Sequence, residues 1–416
     1  MKKANSLFFS KKERILFILI VADIMFFPYI LHLPIKLSMI LLLLYPAFVG
    51  QKYKQSIVKT TLFLSAIGIA SIAIGFLKGN DTGLILTNVQ ALIIIIYGYW
   101  IFEYFKDISR KIDFNITSFL LLYLFVAFLF AILYWVRPTI FFSIRPFWTL
   151  QRTGEAFAGY SENRFTFIMS EPNNFASCVN GVMAFLILGN GITKKEKIVV
   201  SFVSLILIIS TQSISGTAIY LLLTVFFVLS WRRNKKKKKK TVEPPMTSFR
   251  KVIMIIPTIL CIGMVIFLLV NIKKILSLDL IKSATSRYDL YFTDDGNDIT
   301  GKRKDVWIFM IQSHNFFEYI FVGDASIGKP HSGNLFILYA FGLVFLIVYL
   351  RLFLSGCFKT TRAVILSIIF LIVFSTNTLI VDLRAFTLWA ILLSLCHLDG
   401  VRKENVFKNN YVYRFS

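Results

Sequence analysis

Apolar runs of about bilayer length recur from Ile15 almost to the C-terminus, separated by short polar gaps. A helix crossing the hydrocarbon core needs about 20 mostly apolar residues, within a range of roughly 17–25. The pattern predicts segments at 15–33, 35–50, 57–77, 83–104, 116–136, 173–190, 197–212, 214–231, 252–272, 333–352, 363–382 and 384–399. The second and seventh are short. Read as one helix, 197–231 is too long, and it sets Lys194–Lys197 against Lys235–Lys240 on opposite sides. A break at Thr211-Gln212-Ser213 turns it into a hairpin and keeps both basic clusters on one side. The expectation is an all-α polytopic membrane protein of about 12 transmembrane helices, with residues 1–416 as a single integral membrane domain.

Two polar stretches interrupt this pattern, 137–172 and 273–332. The first carries Arg137, Arg145, Arg152 and Arg164 against Glu155, Glu162 and Glu171; the second balances eight basic with eight acidic residues. Inside it, Val306–Val322 is rich in aromatics but interrupted by Gln312, His314, Asn315 and Glu318, which suits an amphipathic helix lying in the membrane interface.

Composition strengthens the membrane reading. The 416 residues are 56% hydrophobic and only 16% charged, with a mean hydropathy of +0.71, whereas soluble domains carry about 25% charged residues. The net charge of +24 points first to nucleic acid, but its placement argues otherwise. The basic clusters sit in short gaps between apolar runs: Lys2, Lys3, Lys11, Lys12 and Arg14; Lys52, Lys54 and Lys59; Lys194, Lys195 and Lys197; and the basic loop 232–251 with Lys235–Lys240. This is the positive-inside pattern beside anionic lipid. It sets loop 232–251 and both termini on the cytoplasmic side and both large polar loops outside. The N-terminal apolar run contains Asp23 and Pro28 where a cleavage site belongs, so it reads as a retained first helix. Asp23 itself is an ionisable residue at membrane depth, which marks either function or a polar partner on another helix.

An outer face has no nucleotide-sugar supply, so synthesis there needs a donor carrying its own leaving group, typically a lipid-linked phosphate or pyrophosphate sugar. Arginine suits that group, because its planar fork binds phosphate oxygens in pairs and stays charged. No metal site is expected. The four cysteines are scattered, the first outer turn His32-Leu33-Pro34-Ile35-Lys36 has no acid, and Asp294-Asp295-Gly296-Asn297-Asp298 lacks the closing glutamate of a calcium loop. No cofactor is called for.

The edges of the polar stretches carry a set of motifs. These are Arg164 leading to Glu171-Pro172-Asn173-Asn174; Ser210-Thr211-Gln212-Ser213 with Ser215-Gly216; Gly301-Lys302-Arg303 with Trp307; Gly323 to Gly328; and His331-Ser332-Gly333-Asn334 opening a late helix. In this order the chain resembles the O-antigen polymerase and O-antigen ligase superfamily of bacterial inner membranes. The motif likeness covers roughly residues 150–345; beyond that it is one of topology. In the family His is often followed directly by Asn, whereas Ser332 and Gly333 intervene here.

The resemblance implies a metal-independent glycosyltransferase, a polysaccharide polymerase. It would join undecaprenyl-pyrophosphate-linked oligosaccharide repeat units into O-antigen or a related surface polysaccharide, on the outer face of the cytoplasmic membrane. It implies catalytic roles for Arg164 and Arg303, holding the departing pyrophosphate, and for His331, orienting the acceptor hydroxyl or taking its proton. Substrate-binding roles fall to Arg287, Glu171, Asn174, Asn334 and Trp307. The expected partners are the lipid-linked oligosaccharide, membrane lipid and, through the resemblance alone, a chain-length regulator, with no nucleic acid. Two alternatives stand beside it. One is the ligase that transfers glycan to lipid A core. The other is a flippase, for which paired halves and broken helices at the midplane are expected and no repeat is seen.

Overall fold

The computed structural model describes residues 8–30, 35–50, 53–78, 82–111, 115–148, 164–189, 191–236, 303–326, 332–356, 360–377 and 382–396, with Ile255, Ile259 and Ile380 besides. Among these residues the protein is all-helical, with no strand. In chain order the helices are α1 (Lys11–Met25), α2 (Leu37–Leu43), α3 (Tyr45–Val49), α4 (Gln55–Leu77), α5 (Thr82–Ile108), α6 (Thr117–Val136), α7 (Pro138–Trp148), α8 (Pro172–Leu188), α9 (Lys194–Thr211), α10 (Ile214–Lys236), α11 (Arg303–Ser313), α12 (Gly333–Phe341), α13 (Leu343–Leu354), α14 (Thr361–Thr376) and α15 (Leu383–Cys396). A 3₁₀ turn, Phe316–Tyr319, follows α11.

Among the described residues three helices, α4, α5 and α6, are long and apolar enough to cross a bilayer. The protein is therefore a membrane protein by length and composition. Five shorter apolar helices follow, among them α8 and α13–α15. Several expected segments are present with altered bounds. The short segment 35–50 is two helices, α2 and α3, divided at Leu44 just ahead of Pro46. Segment 333–352 is also two, because Gly342 adopts φ +97 between α12 and α13. A Cβ there would lie 3.0 Å from the Phe321 carbonyl oxygen, so that position needs glycine on both counts. Within polar stretch 137–172, α7 begins at Pro138 and runs to Trp148. The expected helix over 306–322 divides at His314 and Asn315, whose side-chain oxygen caps the Phe317 N–H of the 3₁₀ turn. Of segment 252–272 only Ile255 and Ile259 are among the described residues.

The chain divides into two compact units, one formed by 1–115 with 307–416 and the other by 116–306. In the first, α5 packs along α15 and α4. Close approach is allowed by small residues, as usual between helices without a water-driven force to join them. A Cβ on Gly98 of α5 would fall within 2.7 Å of Phe386 Cδ1 on α15, and one on Gly68 of α4 within 2.6 Å of Leu92 Cδ1 on α5. Behind them lies an aromatic column of Tyr349, Phe374, Phe370 and Trp389, with centroid separations of 5.3–5.7 Å. Truncating the fully buried Trp389 to alanine costs about 3–5 kcal/mol in such a setting.

The segment 323–326 threads through the same unit as a buried strap. The Asp324 N–H donates to the Tyr339 carbonyl of α12 at 2.8 Å, and the Gly323 N–H to Ser71 Oγ of α4 at 3.2 Å. Asn88 of α5 donates to the Ala325 carbonyl. At its end Lys78, capping α4, pairs with Asp324 at 2.7 Å. Burial alone would lift the Asp324 carboxyl, but hydrogen bonds from Lys78 and Ser326 outweigh it and leave the pKa below its ordinary value. The hydrogen bond to Asp324 raises the Lys78 pKa in turn.

The second unit is built on α8, whose residues are buried on nearly every face. It packs against α9 and α10. A capping box between Thr193 and Glu196 starts α9, and Gln212, at φ +51, ends it. The hairpin break therefore falls at the expected Thr211-Gln212-Ser213. Gly216 of α10 presses on Ala176 of α8, and Asn180 Nδ2 donates to the Gly216 carbonyl at 2.9 Å.

Candidate functional site

Residues 164–171 lead into α8 without regular structure, yet Phe165, Thr166, Phe167, Ile168 and Met169 are all buried. Irregular backbone inside an apolar fold is tolerated only where protein encloses it and meets its hydrogen bonds. Here the enclosure is aromatic. Phe165 touches Tyr134, Phe141 and Phe175, and Phe167 touches Tyr123, Phe130 and Phe175. The Phe165 N–H donates to the Ser210 carbonyl at the end of α9. Phe167 takes φ +52 and, like Gln212, is a non-glycine residue in the left-handed region. Such conformations cost on the order of 1–3 kcal/mol each and persist where surrounding packing dictates them.

Arg164 heads this segment. Its Nε donates to the Thr211 carbonyl at 2.8 Å, and its Nη2 to the Gln212 carbonyl at 3.1 Å and to Asn173 Oδ1 at 3.4 Å. The guanidinium thus sits at the C-terminal end of α9, where free carbonyls favour a cation, and beside the first turn of α8. Tyr134 and Gln212 share a side-chain hydrogen bond in the field of the same charge, and Trp135 Nε1 donates to Ser210 Oγ at 2.7 Å. The hydroxyls of the serine-rich hairpin largely serve the backbone. Ser213 Oγ accepts from the Gly216 N–H at 3.1 Å, and Thr217 Oγ1 donates to the Ser213 carbonyl at 2.8 Å.

Glu171 is the N-cap residue of α8, but its side chain does not cap the helix; Pro172 follows at N1 and buried Asn174 at N3. The first turn of α8, with the positive end of its dipole, therefore lies within reach of the Arg164 guanidinium. Two sources of positive potential beside one carboxylate make a place that can bind and orient an anion.

Of the other candidates, Arg303 opens α11. Trp307, half-buried, lies one turn further along it. Asn334 sits in the first turn of α12, where Nδ2 donates to Ser375 Oγ at 2.7 Å; its Oδ1 is buried with no hydrogen-bond partner among the described residues. His331 and Arg287 lie outside the described residues. The unit containing 1–115 and 307–416 holds Trp307 and Asn334, and the other holds Arg164, Glu171 and Asn174. His314 packs its ring on Tyr319 and Tyr339, and its Nδ1 lies 2.9 Å from Ser313 Oγ and 3.1 Å from the Met310 carbonyl oxygen.

Sequence reasoning did not assemble one polar cluster. Asp23 of α1 accepts from the Ser38 N–H at 2.8 Å and hydroxyl at 2.6 Å and lies 3.7 Å from Lys36 Nζ. Lys36 and Arg384 both donate to the Phe27 carbonyl, and the Arg384 guanidinium lies 4.7 Å from the Tyr29 ring centre. All three charged residues are nearly inaccessible. The cluster ties the end of α1 to the starts of α2 and α15, and gives Asp23 the polar partners that were one of its two readings. Asp382, at the start of α15, accepts from the Ala385 N–H at 3.2 Å. Among the described residues no group of three or more His, Cys, Asp or Glu side chains is placed to hold a metal ion.

No protein-family model matches the chain, and no curated protein matches its sequence.

Proposed function

We propose that this protein is a multi-pass enzyme of the bacterial inner membrane that polymerises undecaprenyl-pyrophosphate-linked oligosaccharide repeat units. Transfer takes place on the outer face of the membrane, where the loops 137–172 and 273–332 lie, with both termini and the basic loop 232–251 in the cytoplasm. Arg164 and Arg303 hold the pyrophosphate of the donor. His331 orients the acceptor hydroxyl and takes its proton as the glycosidic bond forms and the C–O bond to the pyrophosphate breaks.

The observation that carries the reading is the fixation of Arg164. A guanidinium held at 2.8 and 3.1 Å by two backbone carbonyls, beside a helix N-terminus, is oriented before any substrate arrives. Preorganised positive charge acts most strongly where a leaving group gains negative charge. A histidine with a pKa near neutrality suits the proton transfer.

The test is elongation by the purified full-length protein supplied with lipid-linked repeat units in EDTA. Longer lipid-linked chains support the proposal. Transfer to lipid A core without elongation assigns the protein to the ligase alternative. Transbilayer movement of single units without transfer assigns it to a transporter.

A further inference from the structure

Unit 1 contains a cavity of about 390 Å³ at the end where α1 and α4 begin and α5 finishes. This is within the size range of small-molecule sites. One wall is aromatic. Tyr45 contacts Tyr53 at 6.2 Å and Tyr104 at 5.5 Å between ring centroids, and Tyr53 contacts Trp100 at 5.2 Å. Their polar tips are mostly committed elsewhere, since Trp100 Nε1 donates to Thr61 Oγ1 at 2.8 Å and the Tyr53 hydroxyl to the Leu42 carbonyl.

The remaining wall is charged. Glu13 and Glu103 are buried there, with Glu13 3.6 Å from Lys111 and Glu103 2.7 Å from Lys106. Asp107 pairs with Lys54 and lies 3.9 Å from Arg110. The lining therefore carries three carboxylates (Glu13, Glu103, Asp107) and three cations (Lys54, Arg110, Lys111), for a formal sum of zero. One group is left over. Tyr104 is 8% exposed, and its hydroxyl has no hydrogen-bond partner among the described residues. A buried hydroxyl without a partner is costly unless something else supplies one.

Aromatic faces beside carboxylates recognise an ammonium group, and arginine and lysine recognise a phosphate. Beside the cavity Leu43, Leu44, Phe48, Val58 and Leu62 expose apolar surface, which suits acyl chains continuing from a polar head. We propose that this cavity binds a phospholipid through a zwitterionic phosphate–primary ammonium headgroup. The ammonium lies against the rings and Glu103, the phosphate lies toward Arg110 and Lys111, and the Tyr104 hydroxyl gains its missing partner from the headgroup. The assignment is independent of glycan transfer, because binding is read with no glycan donor present.

The test is native mass spectrometry of the detergent-purified full-length protein with equal amounts of phosphatidylethanolamine and phosphatidylglycerol. Retention of phosphatidylethanolamine about tenfold over phosphatidylglycerol is expected, falling about tenfold in Glu103→Gln and in Tyr104→Phe. A Gln312→Ala variant, on α11, is expected to bind as the parent does. Free phosphoethanolamine should displace the lipid only at much higher concentration, and displacement at equal concentration overturns the lipid assignment. Equal retention of both lipids, or unchanged retention in folded Glu103→Gln and Tyr104→Phe, overturns the site.

Discussion

Replacing Arg164 separates a cation that works on substrate from one that merely ends a helix. Its contacts include two short bonds to backbone carbonyls, at 2.8 and 3.1 Å, and a long one at 3.4 Å to Asn173. Hydrogen bonds to a charged group contribute about 1.5–3 kcal/mol each. Because Arg164 is only half-buried, the low end applies, and Arg164→Ala should lose on the order of 3 kcal/mol of stability. Arg164→Gln keeps an N–H for the Thr211 carbonyl without the charge; Arg164→Lys keeps the charge without the fork. The two variants should therefore be similarly stable. If the cation stabilises a departing pyrophosphate, removing it costs a further factor of about 10²–10³ in turnover. The assay is elongation at saturating donor, corrected for folded protein by size-exclusion chromatography and thermal melting. Arg164→Lys should retain measurably more turnover than Arg164→Gln. Folded Arg164→Gln elongating at the parental rate refutes the reasoning and leaves Arg164 as a helix cap.

Three further outcomes are expected. Arg303→Ala and His331→Ala should each abolish elongation while the protein accumulates normally in the membrane, read by immunoblot alongside the ladder of chain lengths. Gly98→Val should destabilise by several kcal/mol in a detergent melt, because its side chain would enter the space of the buried Phe386 ring; an unchanged melt contradicts the close packing of α5 on α15. The Lys78–Asp324 pair sets a pH window. The lowered carboxyl contributes stability above an unfolded value of about 3.9 and loses it as pH falls through its folded value. The raised ammonium contributes below about 10.4 and loses it as pH rises through its own folded value. Asp324→Asn should therefore narrow the difference between melts at pH 6 and pH 3, modestly because Lys78 is half-exposed.

The spacing of apolar and basic residues made the helices and the hairpin break legible. A polar Thr-Gln-Ser between two apolar runs is where a helix can end in a left-handed residue, and Gln212 does so. What escaped were breaks that depend on packing. Gly342 divides α12 from α13 because the Phe321–Val322 backbone passes beside it, a neighbour twenty residues back in sequence. Helix α7 hid in a stretch judged by its arginines, although Pro138 is well placed to start a helix. The site was legible to the same extent. Arg164 could be singled out by its motif, but its carbonyl partners 47 and 48 residues away could not. The joining of Arg384 to Phe27 spans 357 residues, and no local pattern announces it.

The central claim is that the cationic site works on the outer face of the membrane, and cysteine accessibility in intact cells tests it most directly. In a background lacking the four native cysteines, Ser143→Cys and Ser313→Cys, both at exposed positions, should react with a membrane-impermeant maleimide. Ser56→Cys, exposed at the start of α4, should react only after the membrane is opened. Protection of both Ser143→Cys and Ser313→Cys until lysis, or labelling of one without the other, contradicts the account.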